Sequence, residues 1–83
     1  MQKQIVLLIV NSVAGRKKAN KALYQIVESL CCNNCKTIIF TTSKKGDATN
    51  IVIEHAYECQ KIICCGGDGT LNEIISGLIY LNM

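Results

Sequence analysis

A glycine-rich segment, Gly-Gly-Asp-Gly-Thr at residues 66–70, lies between a short apolar run and a stretch with helical periodicity. The apolar run is Lys61–Cys65, and residues 71–79 carry Leu and Ile three and four positions apart. A strand, a tight turn and a helix in this order restrict the chain to folds in which strands and helices alternate. Glycine lets the backbone turn sharply, and the free N–H groups at a helix start attract anions. The segment therefore predicts a turn that can approach phosphate groups.

Two earlier parts of the chain repeat the strand-then-helix pattern. Residues 5–10 form a continuous apolar run, as expected of a strand covered on both faces, and residues 17–31 have apolar positions at helical spacing. Lys36–Thr42 indicates a second strand, and residues 48–59 indicate a second helix with Asp47 as its N-cap. Short connections between such units predict a parallel sheet with right-handed crossovers. The predicted fold class is α/β, a three-layer Rossmann-like β-α-β-α-β-α arrangement.

Composition agrees with a small globular unit. The chain has 83 residues, of which 49% are hydrophobic, and a net charge of +3 without a basic stripe. Its few aromatic residues are not interleaved with Lys or Arg, so nucleic-acid binding is not predicted. Three strands and a third helix that is barely finished at residue 83 would leave the sheet poorly covered. We therefore expect the front piece of a larger domain.

No segment predicts membrane insertion or secretion. The apolar run at residues 5–10 is too short to span a bilayer, and it stops at Asn11, short of a signal-peptide core. The sequence predicts a cytoplasmic chain.

Six cysteines raise the question of a disulfide scaffold or a zinc site. Cys32 and Cys35 have CxxC spacing, and Cys64 and Cys65 are a second candidate pair. In a parallel α/β sheet, however, Cys35 precedes one strand and Cys64 ends another, which places the two pairs about 16–20 Å apart. Reduced thiols are the favoured interpretation, with Cys59, Cys64 and Cys65 as small apolar fillers. No metal site is predicted.

The candidate ligand site is the sheet edge at which the strands end. Three loops are expected to meet there, at residues 11–15, 41–46 and 66–70, and ligands bind at this edge in open parallel sheets. Asn11 would hold its loop or bond a ribose, and Thr42 would donate its hydroxyl. The segment has neither the GxxxxGK[ST] nor the GxGxxG pattern. Asp68 would act through Mg²⁺ or water, or would fix the loop by backbone hydrogen bonds, the role that we favour.

Each of these residues also has a purely structural interpretation. Glycine-rich turns also occur simply as tight connections. For the Gly-Gly-Asp-Gly motif alone, phosphate binding and a tight connection carry about equal weight. Thr70 and Glu73 would form a capping box on the third helix. His55 is expected to lie mid-helix beside the apolar face, and to pack or to face solvent rather than to act as a base. Residues 16–18, Arg-Lys-Lys, are expected to be a solvated helix start rather than a head-group site.

Taken together, the loops resemble one family. Residues 66–78, GGDGTLNEIISGL, resemble the GGDGTLNEV…NGL signature of the diacylglycerol kinase catalytic domain, which sphingosine kinases and bacterial lipid kinases share. Thr42 followed by residues 46–48, Gly-Asp-Ala, is similar to that family's threonine and G-[HD]-A segment. Residues 11–15 correspond in position to its N-P-x-S-G loop. NAD kinases and phosphofructokinases share the GGDG turn, but the continuation at residues 71–73 and the Asn11 loop favour the lipid kinases.

This resemblance implies the N-terminal, ATP-binding part of a diacylglycerol kinase-like catalytic domain over residues 1–83. It implies phosphoryl transfer from ATP to a diacylglycerol-like lipid hydroxyl, with Mg²⁺, by a chain that is cytoplasmic or peripheral at the membrane. The implied contacts to ATP come from three segments of the chain. They are Asn11, Ser12, Val13, Ala14, Gly15, Thr42, Gly67, Asp68, Gly69, Thr70, Leu71, Asn72 and Glu73.

Two departures from the family pattern limit what the resemblance implies. Ser12 stands where the family has proline, and Ala14 stands where it has serine, so the first loop is expected to be looser and to lack the hydroxyl at position 14. The family's Mg²⁺ ligands and general base lie in a β-rich part beyond these residues, so no catalytic residue is assigned and the chain is expected to be inactive alone. Two alternatives remain at this point. One is a nucleotide-binding or interaction module completed by a separate chain or oligomer at an exposed sheet edge, and the other is a remnant without function.

Overall fold

The computed structural model describes residues 4–11 and 16–83, with the side chains of residues 16–22 left out of the description. Three strands alternate with three helices, and a short 3₁₀ turn extends the second helix. The elements are β1 Ile5–Asn11, α1 Arg16–Cys32, β2 Lys36–Thr42, α2 Asp47–His55, the 3₁₀ turn Ala56–Glu58, β3 Lys61–Cys65 and α3 Asp68–Tyr80.

The sheet is parallel, with strand order β2-β1-β3. β1 lies in the centre, and its residues 6–9 are completely inaccessible to solvent. This explains why β1 is a continuous apolar run, since a strand buried on both faces has no position for a polar residue. The predicted α/β fold with a parallel sheet is confirmed.

The core lies between the sheet and the pair of helices α2 and α3. Leu7 and Ile9 point from β1 to this face, where they form a buried cluster with residues of both helices. The opposite face of the sheet carries the alternate strand residues, and Ile63 lies there beside Ile26 and Leu30 of α1. The helices thus cover both faces and form three layers. The buried helix members of the cluster are Ala48, Val52, Ala56 and Ile74.

Helices α2 and α3 approach each other closely at Gly77. A Cβ atom at this position would lie 2.8 Å from Cγ1 and 2.9 Å from Cβ of Val52. The Thr49 hydroxyl donates a hydrogen bond of 2.8 Å to the Glu73 carbonyl at the same interface. The α2–α3 contact therefore depends on the absence of a side chain at residue 77.

Two local predictions need correction. Asp47 is not the N-cap of α2, because Gly46 holds that position with φ +94°, a left-handed conformation that favours glycine. His55 is the last residue of α2 and not a mid-helix residue. Its ring lies 4.7 Å from the Phe40 ring, which confirms a packing role.

The cysteines are distributed as the sheet geometry predicts. Cys35 directly precedes β2 and Cys64 is near the end of β3, and all six cysteines are free thiols. Burial raises the pKa of the thiols of Cys59, Cys64 and Cys65, which disfavours their reactive thiolate form. Within the described part of the chain, no group of three or more His, Cys, Asp or Glu residues could hold a metal ion. None of the described helices is long and apolar enough to cross a membrane.

Candidate functional site

The carboxyl ends of the strands border a cleft of about 240 Å³. Asn11 and Thr42 are register partners at the ends of β1 and β2, and β3 leads directly into α3. Five residues of the predicted site line this cleft, and they are Asn11, Thr42, Gly69, Thr70 and Glu73. Three further lining residues, Ser43, Lys44 and Lys45, belong to the predicted loop at residues 41–46 but were not among the predicted ATP contacts.

The remaining predicted residues are placed differently. Gly67, Asp68, Leu71 and Asn72 are exposed at the start of α3 but do not line the cleft. Four others lie outside the described residues, namely Ser12, Val13, Ala14 and Gly15.

A hydrogen bond joins the first and third loops. The Asn11 amide Nδ2 donates to the Thr70 hydroxyl at 3.2 Å, and the Thr70 side chain is buried. Gly66 makes this contact possible, because a Cβ there would lie 2.9 Å from Thr70 Oγ1 and 3.1 Å from Asn11 Cβ. The glycine that precedes the helix is therefore required by the packing of its own turn.

The other two glycines of the turn face open space. A Cβ at Gly67 or at Gly69 would meet no atom within 4 Å. Gly67 is the N-cap of α3, and the first N–H groups of a helix have no intrahelical acceptor. A ligand can approach these N–H groups without a side chain in between, at the positive end of the helix dipole.

Glu73 does not form the predicted capping box with Thr70. Its Oε1 atom instead accepts hydrogen bonds from the N–H groups of Gly46 at 3.1 Å and Ala48 at 3.2 Å. The carboxylate thus caps the start of α2, a different helix from its own. This contact joins α3, which follows the third loop, to the end of the second loop beside the cleft.

Asp47 fixes the same loop from the other side. Its Oδ2 atom accepts hydrogen bonds from the N–H groups of Ser43 at 3.0 Å and Lys44 at 3.1 Å. These two bonds, more than the nearby Lys44 charge, hold the pKa of the Asp47 carboxyl below its ordinary value. Residues 43–46 are therefore held by two carboxylates, which leaves their side chains to face the cleft or solvent.

Asp68 does not have the loop-fixing role that we favoured from the sequence. It is the first residue of α3, and its side chain is exposed and makes no hydrogen bond to the described residues. Its charge lies near the positive end of the helix dipole.

Comparison with known proteins assigns the chain to a family. The diacylglycerol kinase catalytic domain matches residues 5–82, and the chain belongs to this family. It is 37% identical over 76 residues to the diacylglycerol kinase of Bacillus subtilis, a match that covers 90% of this chain and 25% of that protein. It is 30% identical over 77 residues to sphingoid long-chain bases kinase 1 of Arabidopsis thaliana, which covers 89% of this chain and 10% of that protein.

A solved structure has the same fold. The crystal structure of a Bacillus anthracis protein assigned as a diacylglycerol kinase superposes with a TM-score of 0.79 at 38% identity. The match covers 94% of this chain and 27% of that protein. The chain thus spans about a quarter of the length of the bacterial relatives that it matches.

Proposed function

We propose that this chain is the ATP-binding part of a lipid kinase domain that phosphorylates a hydroxyl group of a diacylglycerol-like lipid. The observation that carries the proposal is the cleft at the strand ends, where Gly69, which has open space at its Cβ position, lines the same cleft as Thr42 and Asn11. Membership of the diacylglycerol kinase family supports the same function. The cleft also lies at the carboxyl ends of parallel strands, where ligands bind in open α/β sheets.

In this proposal, the chain binds and orients the nucleotide. Backbone N–H groups at the start of α3 would donate hydrogen bonds to phosphate oxygens, and the Asn11–Thr70 hydrogen bond would hold the turn in place. Phosphoryl transfer depends mainly on positioning and on electrostatic stabilisation, so a rigid phosphate-binding turn contributes without a general base.

The described residues do not fit a Mg²⁺ site of their own. They hold no cluster of three or more His, Cys, Asp or Glu, and Glu73 Oε1 already accepts two N–H groups. We propose that the metal ligands, the general base and the lipid site belong to polypeptide outside these residues. The share of the relatives that the chain covers, about a quarter, supports this division.

The β3 side of the domain is where we propose that this additional polypeptide packs, either in the same chain or as a partner chain. In the described sheet, β3 pairs only with β1, and residues 62–65 are only partly buried. Three apolar residues four positions apart form an exposed stripe on the neighbouring helix α3: Leu71, Ile75 and Ile79. An open strand edge, followed in the chain by a helix with an exposed apolar stripe, favours a partner that adds a strand and a helix.

The Gly69→Ala variant tests the nucleotide function. Gly69 lies in the first turn of α3, where alanine has the higher helix propensity and the added Cβ meets no protein atom. We expect stability to be unchanged or higher by about 0.5 kcal/mol, and ATP affinity to fall about tenfold or more, because the methyl group occupies ligand space. Urea unfolding and calorimetric titration with ATP measure the two effects.

The matched control is Ser76→Ala in the exposed, distal part of the same helix. This variant should leave ATP affinity unchanged. Equal ATP affinity in the wild type and Gly69→Ala would contradict a nucleotide site at this turn.

A further inference from the structure

Two lysines of the second loop line the cleft and form no close ion pair with the side chains that the structure describes. Lys44 and Lys45 border it together with Gly69 and Thr70. Among the side chains that the structure describes, neither ammonium group lies within 4 Å of a carboxylate oxygen. Asp47, the nearest acid in sequence, bonds the backbone N–H of Lys44 rather than its ammonium group. Both cationic groups are therefore available to a ligand.

The backbone that carries these lysines is fixed before any ligand binds. Asp47 accepts the N–H groups of Ser43 and Lys44, and Glu73 accepts the N–H of Gly46 on the other side of Lys45. A ligand that binds here orders two side chains but not a loop, which lowers the entropic cost of binding.

The charges around the cleft favour a polyanion. Of the residues that line the cleft, Lys44 and Lys45 contribute two positive charges, and Glu73 contributes one negative charge that already faces two N–H groups at the start of α2. Two further carboxylates lie nearby but do not line the cleft: Asp47 accepts the N–H groups of Ser43 and Lys44, and Asp68 is exposed at the start of α3. A single phosphate at the start of α3 would use the backbone N–H groups of the turn alone. A chain of phosphates that extends from this turn along the cleft would also reach the lysines.

We propose that Lys44 and Lys45 form a polyphosphate subsite that selects a nucleoside triphosphate over a monophosphate. The proposal rests on the nucleotide function proposed above and assigns to the second loop a role in specificity. Ammonium groups act here as mobile point charges, so Arg should replace Lys with little loss while Gln should not.

The experiment compares two double variants that remove the same charge. Lys44→Gln/Lys45→Gln removes both cleft lysines, and Lys36→Gln/Lys61→Gln removes two exposed lysines that begin β2 and β3, at the opposite edge of the sheet. Dissociation constants for ATP and AMP are measured by NMR titration at one ionic strength, and thermal unfolding verifies that each variant is folded.

We expect the cleft variant to bind ATP about tenfold more weakly while its AMP affinity changes less than about threefold. The control variant should bind both nucleotides like the wild type, and Lys44→Arg/Lys45→Arg should keep ATP affinity. The subsite would be overturned if the cleft and control variants lost the same ATP affinity. It would also be overturned if the cleft variant lost as much affinity for AMP as for ATP. Absence of ATP binding by the wild type would instead contradict the proposed function itself and remove the subsite with it.

Discussion

Glu73→Ala is expected to lower the free energy of unfolding by about 2 kcal/mol and to weaken ATP binding as well. The substitution removes the oxygen that accepts the N–H groups of Gly46 and Ala48, and residue 48 is buried. The loss of an acceptor leaves these donors unsatisfied, and it frees the loop that carries Lys44 and Lys45. Urea unfolding gives the stability change, and titration with ATP gives the affinity.

Two further variants separate the hydrogen bonds from the charge. Glu73→Gln keeps an acceptor oxygen in the same place and should cost less than about 1 kcal/mol. Glu54→Ala removes a charge from an exposed position of α2 and should change stability by no more than about 0.5 kcal/mol. If Glu73→Ala behaved like Glu54→Ala in both measurements, Glu73 would not connect the two loops.

Gly77→Val is expected to destabilise the domain by about 2–3 kcal/mol through overpacking. Even the Cβ atom would lie 2.8–2.9 Å from Val52 and 3.1 Å from the Thr49 carbonyl oxygen, so α2 and α3 would have to separate. Chemical denaturation measures the change in stability.

The control for Gly77→Val is Ser76→Val at the neighbouring, exposed position of α3. It introduces the same β-branched side chain into the helix without a contact to α2. In the double variant Gly77→Val/Val52→Ala, part of the lost stability should return because the two positions share one contact. A cost for Gly77→Val no larger than that for Ser76→Val would contradict the close packing of the helices.

The sequence was sufficient to predict the fold because each element has its own periodic pattern. The continuous apolar run of β1 predicted a strand covered on both faces, and residues 6–9 are indeed inaccessible. The positions of Asn11, Thr42 and the turn at residues 66–70 also followed, since parallel strands end at one edge of the sheet.

Contacts between distant residues were not predictable in the same way. Glu73 lies three positions after Thr70, so a local rule suggested a capping box, whereas its partners are 27 and 25 residues away. The loop at residues 41–46 was expected at the site, but Lys44 and Lys45 were not singled out, because nothing in the sequence shows that Asp47 and Glu73 fix their backbone beside the cleft. The local signal for a fixed loop was the pair Gly46 and Asp47. Asp47 is close enough in sequence to accept hydrogen bonds from the N–H groups of residues 43 and 44.

The most direct test of the nucleotide site is an NMR titration of the isotope-labelled 83-residue chain with ATP. We expect binding with a dissociation constant of about 1 mM or tighter. The largest amide shifts should occur at residues 67–70, at Thr42 and at residues 44–46, while the opposite sheet edge at Lys36 and Lys61 stays unchanged. An absence of shifts at saturating ATP, or shifts concentrated away from the cleft, would contradict the assignment of this site.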